Sequence, residues 1–317
     1  MLDIFAVTFP IYLIVGIGYL LTRYGLFSKA DMRVFGKLVV NLALPALLLR
    51  ALTQRSFSEL LSTSYLLVYC FGGLCTLILG YFFARRVVQK GATASAFYGL
   101  GMASSNSGFV GYPILMLTIG NIAGEALALN MIVENLIVIP LGLLLAERGR
   151  GGAGSPLRVL QQSFLRLAKM PLIQSLILGL LISISGIHLP APLAQTINMF
   201  ANASGVLSLL VIGGALVGVP IAGMLVRVLP IVVGKQLLHP AFVALAIAAL
   251  PALGLALMEP NLRHAAIMMA AMPIMGIYPT LTQADGLEEF SAAALLASTV
   301  ASFFTLSALL AAMQWAA

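Results

Sequence analysis

The sequence predicts an all-α integral membrane protein with ten spanning helices arranged as two inverted five-helix halves. Three observations carry that prediction. Of 317 residues, 61% are hydrophobic and only 9% charged, whereas a soluble domain carries about 25% charged residues. Ten apolar windows of roughly 20 residues, each long enough to cross the hydrocarbon of a bilayer, follow one another with short loops between them. Two of these windows are interrupted. Ser104–Pro113 (SSNSGFVGYP) lies inside window 92–119, and Ala270–Asp285 (AAMPIMGIYPTLTQAD) breaks window 262–283. Ser, Asn, Gly and Pro are poor helix formers. In lipid a broken helix is tolerated only where protein or a water-filled cavity satisfies the freed peptide groups.

In chain order the windows are 4–22, 32–52, 64–84, 92–119, 124–146, 170–187, 194–219, 226–250, 262–283 and 290–314. The first has no basic leader and no small-residue cleavage site, so it reads as a retained span. Cys70 and Cys75 fall together in the third, where they say nothing about redox compartment. Thirteen Lys and Arg residues lie in the loops after windows 1, 3, 5 and 7, against Arg50, Arg55 and Arg263 on the other side. That asymmetry places the 147–169 loop in the cytoplasm and both termini outside, in the periplasm of a cell (inner) membrane protein. It also accounts for the net charge of +7, so no nucleic-acid partner is expected. The Gly-rich, charged linker 148–169 separates a first repeat, 1–147, from a second, 170–317. Five spans per half, an odd number, invert the second half, and the broken window is fourth in each.

At the first break, Asn106 with Ser104, Ser105 and Ser107 offers amide and hydroxyl groups. Half-helix N-termini carry partial positive charge and suit a carboxylate. The same side chains would equally serve as hydrogen bonds to neighbouring helices. Gly108, Gly111 and Pro113 shape the backbone there. Pro273, Gly276 and Pro279 do so in the ninth window and free carbonyls for a ligand, with Tyr278 supplying a hydroxyl. Glu134 and Asn135 sit mid-window in the fifth. A carboxylate at the bilayer centre costs about 2.5–3.5 kcal/mol, so Glu134 is either a proton carrier or a neutral acid bonded to another helix. Lys235, in the eighth, has four readings: counter-ion for a substrate carboxylate, ammonium in place of a coupling cation, salt bridge to Glu134, or snorkelling to the interface. His239, one turn on, shares a proton or bonds a carbonyl. Asn41, Asn198 and Asn202 read as structural. Metalloprotease, nucleophile-elbow and phosphate-loop motifs are absent, so no enzyme, no cofactor, no metal and no ATP are expected.

Phe9–Ser28 (FPIYLIVGIGYLLTRYGLFS), Leu38–Leu52 (LVVNLALPALLLRAL), Ser105–Gly120 (SNSGFVGYPILMLTIG), Lys235–Leu245 (KQLLHPAFVAL) and Ala270–Leu281 (AAMPIMGIYPTL) resemble the auxin efflux carrier family of secondary transporters, its bacterial malate and malonate permeases included. The resemblance runs the length of the chain, and its specific parts are the Asn-x-Gly-x-x-Gly-x-Pro and Lys-x-x-x-His-Pro stretches. A second proline, Pro279, is the departure. The resemblance implies a fold like the sodium/proton antiporters and bile-acid carriers, with helices 4 and 9 crossing at their breaks. It also implies a homodimer, elevator-type alternating access and a substrate-binding Asn at Asn106, with a second Asn in the fifth span, here Asn135. The expected function is secondary active or facilitative transport of small organic anions such as malate, malonate or auxin-like acids, with proton or sodium coupling open. The alternatives are a sodium-coupled symporter of the bile-acid type and a channel.

Overall fold

The computed structural model describes residues 2–53, 62–151, 168–187, 189–218 and 223–315, together with positions 161 and 165. Arg55 and most of the linker predicted over 148–169 lie outside the described residues. Apart from one isolated bridge, the regular structure among the described residues is helical. The helices are α1 (Leu2–Arg23), α2 (Lys29–Thr53), α3 (Thr63–Arg86), α4 (Ala92–Ala103), α5 (Ser107–Ile119), α6 (Ile122–Gly149), α7 (Pro171–Ser185), α8 (Ala191–Ala215), α9 (Leu225–Ala249), α10 (Pro260–Ala270), α11 (Tyr278–Thr282) and α12 (Glu288–Trp315).

Six of the described helices, α2, α3, α6, α8, α9 and most of α12, are long and apolar enough to cross a membrane. Their surfaces agree with a lipid solvent. Phe71, Leu181, Leu245 and Phe304 are exposed, while Glu134, Lys235, His239 and Asn130 are buried. Water would penalise both halves of that arrangement, whereas hydrocarbon favours apolar residues outside and polar residues against protein. The chain is a multi-pass integral membrane protein.

Proline punctuates these helices in a regular way. Among the described residues four five-residue π turns occur, at Val39–Ala43, Ser107–Gly111, Glu134–Val138 and Gly234–Leu238. Each stops two residues short of a proline: Pro45, Pro113, Pro140 and Pro240. A proline ring has no N–H to donate and clashes with the carbonyl four residues back. The turn ahead of it widens to accommodate that carbonyl. In three of them the residue before the proline reaches back five positions: Leu44 N–H to Val39 O, Ile139 N–H to Glu134 O and His239 N–H to Gly234 O. Glu134 and Lys235 therefore both sit in locally widened helix.

The chain divides into two compact units, each drawing on both halves of the sequence. The first holds residues 1–62, 108–129 and 167–219. In it α1 packs on α8 and α7 on the second half of α2. A Cβ built on Gly18 would lie 2.1 Å from the Leu210 carbonyl oxygen, and one on Gly213 would lie 2.0 Å from that of Val15. Reciprocal glycines bring the two backbones together, as small residues do between membrane helices. Ser28 starts α2 with a capping box: Asp31 N–H donates to Ser28 Oγ at 3.2 Å and Ser28 N–H to Asp31 Oδ2 at 2.8 Å. The second unit holds residues 63–107, 130–166 and 220–317. There α3 packs on α4 and α9, α4 on the second half of α6, and α12 on α9 and α11.

Candidate functional site

Within the second unit the two predicted breaks are both present, and they touch. The chain leaves α4 at Ser104, whose φ of −112° and ψ of 138° are extended, and its hydroxyl donates back to Leu100 O at 2.6 Å. Ser105 then forms an antiparallel bridge with Ile274, and Asn106 N–H donates to Pro273 O at 2.8 Å. On the other side of that segment Ile274 N–H donates to Ser298 Oγ at 3.1 Å. Peptide groups freed from a helix inside a membrane must find partners. Here the two breaks share one such bond directly, and the side chains of Glu134 and Ser298 take the N–H groups of Ser105 and Ile274.

Buried side chains converge on Ser105. Lys235 Nζ bonds Ser105 Oγ at 2.6 Å, Ala270 O at 2.8 Å and His239 Nδ1 at 2.8 Å, three acceptors for the three N–H donors of an ammonium. Glu134 Oε1 accepts from Ser105 N–H at 2.9 Å and from the Tyr69 hydroxyl at 3.0 Å. Tyr69 and Ser105 hydroxyls are 3.0 Å apart. One proton order satisfies every link. Lys235 donates to Ser105, Ser105 to Tyr69, and Tyr69 to Glu134, a directed chain from cation to anion. Burying either charge alone would be costly, while a hydrogen-bonded pair offsets most of that cost. His239, accepting at Nδ1, carries its proton on Nε2, and that buried nitrogen has no hydrogen-bond partner among the described residues.

Further polar groups extend the cluster. The Tyr65 hydroxyl donates to Asn130 Oδ1 at 2.7 Å, and Asn130 Nδ2 donates to Ser107 Oγ at 3.1 Å. The Tyr65 and Tyr69 rings stack with centroids 5.9 Å apart, and Tyr69 lies 5.4 Å from the His239 ring. Tyr65, Tyr69 and Asn130 had no place among the residues singled out from the sequence. Tyrosines inside an apolar window carry no local mark of being buried partners to an acid.

Of the residues the sequence singles out, the structure brings together Ser105, the Asn106 backbone, Glu134, Lys235, His239 and Pro273. Gly276 lies nearby, where a Cβ would come 3.9 Å from Asn106 Nδ2. Asn135 turns back on its own helix, donating to Met131 O at 2.9 Å. The Tyr278 hydroxyl is buried and donates to Phe97 O at 2.8 Å, pinning α11 to α4. Pro279 is the second residue of α11, a position where a missing N–H costs nothing. In α5, Gly108 and Gly111 fall in the π turn that ends ahead of Pro113, and Gly108 faces the Leu44 side chain.

The family model for "Membrane transport protein" matches residues 3–310 of the chain. Among curated relatives, "Uncharacterized transporter YfdV" of Escherichia coli (strain K12) is 30% identical over 202 residues, 62% of this chain. The chain covers 63% of that relative's length. A protein of Rhizobium meliloti (strain 1021) named "Putative malonate transporter" is 27% identical over 316 residues, 98% of this chain and 96% of the relative.

Proposed function

The chain belongs to this membrane transport protein family, that of the auxin efflux carriers, and we propose that it moves small organic anions across the bilayer by alternating access. The observation that carries the proposal is the bond between the two helix breaks, Asn106 N–H to Pro273 O, beside the buried Lys235–Ser105–Tyr69–Glu134 chain. Broken helices meeting at a buried polar cluster are how many secondary transporters build a binding site. Malonate is the first anion to test, since the relative matched along nearly its whole length is named for it.

The halves 1–147 and 170–317, joined by 148–169, form an inverted repeat of ten spans in this reading, with helices 4 and 9 crossed at their breaks. Its support is the exchange of partners in the first unit, where the first span packs on the seventh and the sixth on the second. Arg150 on one loop grips Asp285 on another, Nε to Oδ1 at 2.8 Å and Nη2 to Oδ2 at 2.6 Å. That clamp puts the loops after the fifth and ninth spans on one face, which the basic-residue count assigns to the cytoplasm. Both termini are then periplasmic, in the inner membrane. In this reading the working form is a homodimer with an elevator-type cycle.

In this reading Ser105, Asn106, Asn135 and Tyr278 are the substrate-contact set, Asn135 and Tyr278 by releasing their bonds to Met131 O and Phe97 O, on a frame given by Gly108, Gly111, Pro113, Pro273, Gly276 and Pro279. Glu134, Lys235 and His239 carry coupling. Lys235 holds its ammonium as a built-in cation, so sodium is not needed. Moving one proton along each link of the chain leaves a neutral lysine and a neutral acid, a route by which one proton can be shifted. Each elementary charge moved across 100 mV is worth about 2.3 kcal/mol. Anion export from a negative interior is therefore electrically downhill, while dianion import against ~150 mV would cost roughly 7 kcal/mol. A site with one acid and one base suits export, or import of a monoanion with a proton. The test is counterflow of labelled malonate in proteoliposomes. Saturable, sodium-independent counterflow that Ser105→Ala abolishes is expected. Full counterflow in that variant, or a strict sodium requirement, overturns the reading.

A further inference from the structure

Arg50 belongs to the first unit and takes no part in the polar cluster just described. It lies in the last turn of α2, where the sequence assigns it nothing but a vote on orientation. Its Nη1 donates to Asn202 Oδ1 at 2.6 Å and its Nη2 to Tyr112 Oη at 2.9 Å. Both partners are neutral. A guanidinium has five N–H donors, so these two bonds hold the fork in place with donors to spare. It lines a cavity of about 380 Å³ together with Leu47, Tyr112, Asn121, Asn198 and Glu125. Ligand pockets run from about 300 to 1,000 Å³.

We infer that this cavity is a binding site for the carboxylate of a small organic anion, with Arg50 as the anchoring fork. A planar guanidinium matches a carboxylate with two parallel hydrogen bonds, and the Asn121 and Asn198 amides add donors for whichever oxygen the fork leaves unfilled. Tyr112 and Asn202 are positioning residues: they aim the fork and neither supplies charge.

The inference rests on the transport reading only for its choice of ligand, and the two fail separately. The wild-type protein in detergent is treated with phenylglyoxal, and modification of Arg50 is followed by mass spectrometry with malonate, with acetate, or with chloride at equal ionic strength. Malonate and acetate are expected to slow modification of Arg50 at least tenfold while chloride does not. Equal rates in all three overturn the inference even if counterflow is robust. Protection without counterflow leaves it standing and removes the transport reading. Calorimetric titration of malonate into Arg50→Gln and Arg50→Lys is the second arm. Loss of at least tenfold in affinity for Gln and a smaller loss for Lys are expected, and wild-type affinity in Arg50→Gln overturns it.

Discussion

Between Ala103 and Ser107 the first break consists of Ser104, Ser105 and Asn106. The second, Ala271 to Ile277, reads Ala-Met-Pro-Ile-Met-Gly-Ile and contains no polar side chain at all. The first gives side chains and peptide groups to the cluster; the second gives peptide groups alone, through Pro273 O and Ile274 N–H. A helix can thus be opened in two ways inside a membrane. Polar residues that compete with the backbone for hydrogen bonds open the first, and a proline that lacks a donor opens the second. Changes of side chain in the first break should alter chemistry, and those in the second should alter mainly packing.

The widest separation between the two should come from Lys235→Met. It leaves Glu134 buried without its cation and is expected to cost about 3–5 kcal/mol, read as a large drop in Tm in detergent. Lys235→Met with Glu134→Gln should recover much of that stability but none of the counterflow. Recovery of both would detach the ion pair from function. Ser105→Ala comes next: it takes an acceptor from Lys235 and the middle link from the chain, for about 1–3 kcal/mol, with counterflow lost. Tyr278→Phe forfeits one neutral hydrogen bond, about 1 kcal/mol. Unchanged malonate affinity there would make Tyr278 a helix pin, and a weakened one would make it a substrate contact. Met272→Leu, in the apolar break, should do least, a swap of similar volume under about 1.5 kcal/mol with wild-type counterflow. A loss of counterflow in Met272→Leu as deep as in Ser105→Ala would erase the distinction between the breaks.

Much of this architecture was legible because membranes make sequences explicit. Apolar windows had to be about 20 residues long, and SSNSG and MPIMG stood out inside two of them. Glu134 and Lys235 stood out for a similar reason, since an ionisable residue in hydrocarbon is conspicuous. What could not be read was who meets whom. That one serine hydroxyl and its own N–H serve both the lysine and the acid depends on α3, α4, α6 and α9 converging, and no local pattern encodes it. Tyr69 and Tyr65 pass as ordinary apolar residues in a window that contains several aromatics. In the sequence Arg50 counts only as a loop charge, whereas its guanidinium reaches Asn202, 152 positions away. The widened turns were only half legible: Pro10 and Pro230 also lie inside helices, yet neither follows such a turn.

Those widened turns have a consequence for anyone reading faces from periodicity. Each spends one more residue than an ordinary turn, and one residue is worth about 100° of azimuth in a helical wheel. Beyond Val138 or Leu238 the wheel drawn from the helix start is out of phase, so lipid-facing and protein-facing positions must be reassigned from a new origin. Deleting a single residue from either turn would not merely shorten the helix. It would swing everything downstream by nearly a third of a revolution, turning outward-facing leucines such as Leu245 toward neighbouring helices.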